Sequence, residues 1–100
     1  QTIFFDEAVK AGLEFALKDR HTLVIVTGDH ETGGLSINAG GLDGKDIRVG
    51  WGSGGGHTAV PIPIFAFGPG AENFMGVHHH VDVPGKISRL LGIKNFPLLP

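Results

Sequence analysis

The stretch Thr22-Leu23-Val24-Ile25-Val26-Thr27-Gly28-Asp29-His30-Glu31-Thr32-Gly33-Gly34 decides the fold. Leu23 to Val26 are consecutive apolar residues, and all but Leu23 are β-branched. The run lacks the alternation of a half-wet strand and suits a strand buried on both faces of a parallel sheet. Asp29 and His30, two good metal ligands side by side, follow its carboxyl end. In open α/β sheets that end is where ligands bind. Neighbouring side chains on a straight strand point to opposite faces. Convergence of Asp29 and His30 on one ion therefore requires the strand to give way to a loop there. Gly28 before them and Gly33-Gly34 after them permit that bend.

The bulk composition narrows the classes. The chain has 100 residues, enough for one small domain with a modest core. It is 41% hydrophobic and 18% charged, as folded chains are. A net charge of -2 with only 8 Lys+Arg leaves no electrostatic footprint for nucleic acid. No apolar run reaches membrane-spanning length, and no signal-like amino terminus is present. The chain begins at Gln1 rather than Met, so we expect the natural amino terminus to lie upstream. With no cysteines, disulfides and thiolate metal sites are excluded. Any metal must use nitrogen and oxygen ligands, a set that suits zinc.

Working outward, Phe5, Val9, Gly12, Leu13, Ala16 and Leu17 share one helical face, with Lys10, Glu14 and Lys18 at i,i+4 spacing opposite. The pattern predicts an amphipathic helix over Asp6 to Arg20, N-capped by Asp6 and covering the sheet. The short Arg20-His21 connection resembles the αβ half of a βαβ unit, with His21 as a loop residue. Leu35-Ser36-Ile37 reads as a short strand. The glycines, 17 in all, concentrate between Asn38 and Gly56. Within that segment Asp46 to Trp51 alternates as one strand of a peripheral hairpin, with Trp51 packing at the base of the loop. No Walker pattern occurs there, which argues against a phosphate cradle.

His57 follows Gly54-Gly55-Gly56, glycines that let the backbone approach closely and aim the imidazole. His57 is thus a third candidate ligand, with Thr58 as a hydrogen-bonding neighbour. Pro61 to Phe67 reads as a second buried strand that starts near Pro63 or lies toward an edge, since proline lacks an N–H. Ala71 to Phe74 reads as a turn of helix. His78-His79-His80 is expected to be a solvated run, because consecutive side chains diverge. Val83, Ile87, Leu90 and Leu91 share the face of a last helix, with Asp82 as N-cap, Pro84 in the first turn and Gly92 as the stop. Ile93, Phe96 and Leu98-Leu99 are expected to pack back or fray.

Three segments together resemble the alkaline phosphatases: Thr22 to Leu35, Gly56-His57-Thr58, and Phe67-Gly68-Pro69-Gly70-Ala71-Glu72-Asn73-Phe74. Their order and the closing helix also fit. The resemblance covers nearly the whole chain, but only the carboxyl-terminal part of such an enzyme. It implies an α/β fold, a fragment of a three-layer α/β/α sandwich with a mostly parallel central sheet and a Gly-rich peripheral loop. Residues 1–100 would be the carboxyl-terminal portion of the catalytic domain, with 39–56 a variable Gly-rich insertion. Family members hydrolyse phosphate monoesters with two zinc ions and a magnesium, through a serine nucleophile and a phosphoserine intermediate. By position, Asp29 and His30 match ligands of the zinc that activates the serine. His57 matches one ligand of the other zinc. The residue before Asp29 is Gly28, where the family more often has alanine.

The nucleophile, the phosphate-binding arginine, the other ligands of the second zinc and the magnesium carboxylates would all precede Gln1. Ser36, Ser53 and Ser88 do not match the nucleophile's setting. These 100 residues alone are therefore expected to be inactive. The resemblance further implies a periplasmic or secreted protein, often a homodimer, whose partners are a phosphate monoester and the remainder of the phosphatase chain. Two other readings stand beside it. One is another metal-dependent phosphoesterase or phosphomutase of the same superfamily. The other is a non-catalytic module that retains the scaffold.

Overall fold

The structure is a computed structural model and describes residues 1–52 and 54–96. The elements read above fall within it except for Ser53 and Leu98-Leu99, which lie outside the described residues. The elements run α1 (Thr2–Asp19), β1 (Val24–Thr27), β2 (Glu31–Thr32), β3 (Leu35–Ala39), β4 (Arg48–Trp51), β5 (His57–Thr58), β6 (Ile64–Phe67), a 3-10 turn (Ala71–Phe74) and α2 (Asp82–Leu90). The chain is an α/β fold, as read. It divides into two compact units, Gln1–Val26 with Ile64–Pro100, and Thr27–Pro63.

In the first unit, α1 begins at Thr2, not at Asp6. Nothing between Thr2 and Phe5 breaks a helix, and the Phe5 N–H already donates to the Gln1 carbonyl at 3.0 Å. Asp6 is thus an ordinary residue of the helix and caps nothing. The helix closes on Arg20, whose φ of 60° is left-handed and whose N–H donates to the Ala16 carbonyl. The Asp19 carboxylate then accepts from the Thr22 hydroxyl at 2.6 Å and the His21 N–H at 3.1 Å, which turns the chain toward β1. Val9, Gly12, Leu13 and Ala16 form the inward stripe; Phe5 and Leu17, expected on it, are exposed.

β1 and β6 are neighbours in one two-stranded sheet. β6 starts immediately after Pro63, where backbone N–H donors resume. Val24 and Val26 share one face of β1 and line a groove of about 520 Å³ with Phe5, Val9 and Leu13 of α1. Leu23 and Ile25 share the other face and line a groove of about 690 Å³ with Ile87 and Leu90 of α2. The two helices therefore attend opposite faces of the strand. Neither strand reaches the burial on both faces expected from its composition: both are at most half-buried, and Phe65 is 64% exposed. Two helices are too little apolar cover for a sheet of this composition. Among the described residues only Ala16 and Phe74 are buried hydrophobics.

The 3-10 turn falls where a helical turn was expected. α2 spans Asp82–Leu90 with Pro84 in its first turn. Asp82 is the first helical residue rather than the cap, and its carboxylate accepts the His79 N–H at 3.1 Å. Gly92, at φ 70°, ends the helix. The Gly92 N–H donates to the Arg89 carbonyl and the Ile93 N–H to Ser88, a Schellman closure. The buried residues of α2 are Gly85 and Ser88; Leu90 and Leu91 are exposed.

In the second unit, β3 and β4 form the expected antiparallel hairpin, with Leu35 opposite Trp51 and Ile37 opposite Val49. The strand stops at Arg48 rather than Asp46, because Asp46 takes a left-handed φ of 53°. The Trp51 ring lies over Gly33, so it does pack at the base of the loop. β2 and β5 pair antiparallel with Glu31 opposite Thr58 and Thr32 opposite His57. The Gly33 N–H extends that ladder to the Gly56 carbonyl at 2.8 Å.

Candidate metal centre

Asp29 and His30 follow β1 in the loop that leads to β2, and His57 opens β5. The β2–β5 pairing brings all three into one place within the second unit. The Asp29 Oδ2 and His30 Nε2 atoms stand 3.3 Å apart. The Asp29 carboxylate also accepts the His30 backbone N–H at 3.1 Å. On its other edge, the His30 ring presents Nδ1 to the Glu31 carbonyl at 3.3 Å and to the Thr32 hydroxyl at 3.2 Å. With the proton on Nδ1, the ring donates to the carbonyl and the Nε2 lone pair faces the carboxylate; two acceptors in that position require a cation or a proton between them.

The donor set fits a zinc ion. Ligand bonds of about 2.0–2.1 Å in tetrahedral geometry put two donors about 3.3 Å apart. A backbone carbonyl that orients the far nitrogen is the usual support for a metal-binding imidazole. The His57 ring stacks on the His30 ring with centroids 3.5 Å apart and planes at 26°. Among the described residues no cluster of three or more His, Asp or Glu side chains converges on a single point.

Two carboxyls here are held toward the ionised form. The Asp29 carboxyl lies below its ordinary pKa, through its own backbone N–H first and then the charge of His30. The Glu31 carboxyl is also lowered, chiefly by the Thr58 hydroxyl; burial opposes this, and the Leu35 and Gly34 N–H groups reinforce it. Glu31 was not singled out from the sequence. Its one signal there is its place next to Asp29-His30 with glycines following.

The other histidines lie elsewhere. His21 is exposed in the α1–β1 connection, a loop residue as read. The triplet needs a correction: His79 and His80 are exposed, but His78 is half-buried with Lys86 Nζ 2.8 Å from its Nδ1. The same ammonium donates to the Asn73 carbonyl at 2.7 Å and sits 5.8 Å from the Phe74 ring centroid. The 3-10 turn and α2 create that partly covered niche, which a run of three polar residues does not announce.

The profile of the family Alkaline phosphatase matches residues 1–48. Streptomycin-6-phosphate phosphatase of Streptomyces griseus is 33% identical over 110 residues, taking in 94% of this chain and 24% of that protein. Alkaline phosphatase of Escherichia coli is 33% identical over 109 residues, with 94% and 23% covered. The solved alkaline phosphatase of the Antarctic bacterium TAB5 superposes with a TM-score of 0.80 at 40% identity, over 91% of this chain and 28% of that one. Over nearly its whole length the chain is similar to the alkaline phosphatases. A variant of the TAB5 alkaline phosphatase, solved with magnesium bound in its M3 site, superposes with a TM-score of 0.77. The chain spans between 23% and 34% of the length of the curated relatives it matches. Among its described residues no helix is long and apolar enough to cross a membrane.

Proposed function

We propose that this chain is the carboxyl-terminal portion of a zinc-dependent alkaline phosphatase that hydrolyses phosphate monoesters. Asp29 and His30 would hold one ion and His57 would be one ligand of a second. The observation that carries the reading is the 3.3 Å approach of Asp29 Oδ2 to His30 Nε2, with the His57 ring stacked alongside. Zinc bound by these residues would supply Lewis-acid chemistry, favouring ionisation of an attacking hydroxyl and offsetting charge on the phosphoryl group. The residues here do the holding. Asp29 supplies anionic charge, and the Glu31 carbonyl keeps the His30 Nδ1 proton in place so that Nε2 stays a ligand.

The serine, the arginine and the carboxylates of a magnesium site belong, in this proposal, to the rest of the protein. So do further strands that would widen β1 and β6 into a mostly parallel sheet within a three-layer sandwich. The two apolar grooves beside β1 support that part of the reading. Residues 39–56 would be a variable Gly-rich insertion, and the whole protein a periplasmic or secreted enzyme, assembled as a homodimer. The test is to strip the full-length protein with a chelator, restore zinc and magnesium, and assay a chromogenic phosphate ester. Zinc-dependent turnover that Asp29→Ala abolishes is expected. Turnover indifferent to zinc, or unchanged in Asp29→Ala, would refute the assignment.

A further inference from the structure

We infer that Glu31 is a positioning residue that sets His57 against His30 through Thr58; its activity test, though not its geometry, rests on the phosphatase reading above. The Glu31 carboxylate accepts from three donors. Oε2 takes the Thr58 hydroxyl and the Gly34 N–H at 3.1 Å, and Oε1 takes the Leu35 N–H at 3.1 Å. Both partners are half-buried. The backbone ladder around it is short, with the Gly33 N–H to Gly56 carbonyl bond at its end. β2 and β5 have two residues each, and the approach to His57 runs through Gly54 and Gly55, both at positive φ with open space around them. A ladder this short does not by itself fix a side chain.

Alternation along the strand supplies the coupling. Thr58 and His57 point to opposite faces of β5, and Glu31 and His30, also neighbours, diverge in the same way. The Glu31–Thr58 hydrogen bond on one face therefore sets the distance between the His30 and His57 rings on the other. A carboxylate is the group for this task, since it offers acceptors only. Glutamine would turn an NH2 toward a backbone N–H, and aspartate is one methylene too short.

The experiment uses the full-length protein with labelled histidines and the variants Glu31→Ala, Thr58→Val and Thr58→Ser. In the metal-free state the stacked rings should shift the His57 ring protons upfield. Glu31→Ala and Thr58→Val should lose that shift, and Thr58→Ser, which keeps the hydroxyl, should restore it. With zinc restored, the first two should lose about tenfold or more in kcat, with KM within about threefold. The double variant should be no worse than either single one, because both remove the same bond. A shift that survives in Thr58→Val, or Thr58→Ser failing as badly as Thr58→Val, would overturn the inference. If the unaltered protein shows no zinc-dependent turnover, the phosphatase reading fails and the ring shifts alone decide the role of Glu31.

Discussion

Replacing Gly33 by alanine tests the local architecture beside the candidate centre. Gly33 sits at φ 87°, and a Cβ there would lie 2.6 Å from Trp51 Cε3 and 2.8 Å from Cζ3. Two costs follow. Holding a Cβ-bearing residue in the left-handed region costs about 1–2 kcal/mol. Forcing a methyl into an occupied space costs about 1–3 kcal/mol, and here the lower end applies, because the exposed indole can swing outward. The sum is about 2–3 kcal/mol. Gly44, at φ 74° with nothing within 4 Å, isolates the first cost, so Gly44→Ala should lose about 1–2 kcal/mol. The assay is native-state hydrogen exchange of the Gly33 amide, which donates to the Gly56 carbonyl at 2.8 Å next to His57. Its local opening should rise by about 30- to 150-fold in Gly33→Ala. In a Trp51→Ala background the same change should cost only the backbone part. Equal costs in the two backgrounds would show that the ring does not sit over Gly33 as described.

Four further outcomes are expected. His57→Ala in the full-length enzyme should cut zinc occupancy or turnover by well over about tenfold. Alanines at His78, His79 and His80 together should leave zinc affinity within about threefold, as elemental analysis would show, while loss of the Lys86 contact lowers stability by about 0.5–1.5 kcal/mol. A polypeptide of residues 1–100 alone should show no zinc-dependent turnover of a chromogenic phosphate ester, since Asp29 and His30 at one ion and His57 at another fall short of the three or four ligands of a tight site; activity comparable to the full-length protein would refute this. Asp19 bears on pH. Its carboxyl is held below its ordinary value first by the Thr22 hydroxyl, so the stabilisation is present above the ordinary carboxylate range and is lost as pH falls below that range and through the lowered folded-state value. A thermal melt series from neutral to acidic pH should show a shallower acid loss in Asp19→Asn.

Local structure was largely legible in the residues. The apolar run Leu23 to Val26 reads as a strand because nothing in it suits solvent. Pro63 sets the start of β6 because it lacks a donor. Gly92 stops α2 because a left-handed residue is needed where two carbonyls await partners. Asp29, His30 and His57 were legible as candidate ligands from residue type and flanking glycines. Tertiary structure alone decided the rest. Burial of β1 and β6 depends on what covers each face, and composition states only what the strands would accept. The start of α1 at Thr2 follows from a backbone ladder that has no breaker to oppose it. The pairing of Glu31 with Thr58 joins residues 27 apart through strands of two residues each, too short to carry a periodic signal. Hydrogen bonds across such a gap come from register, and register exists only once the chain has folded.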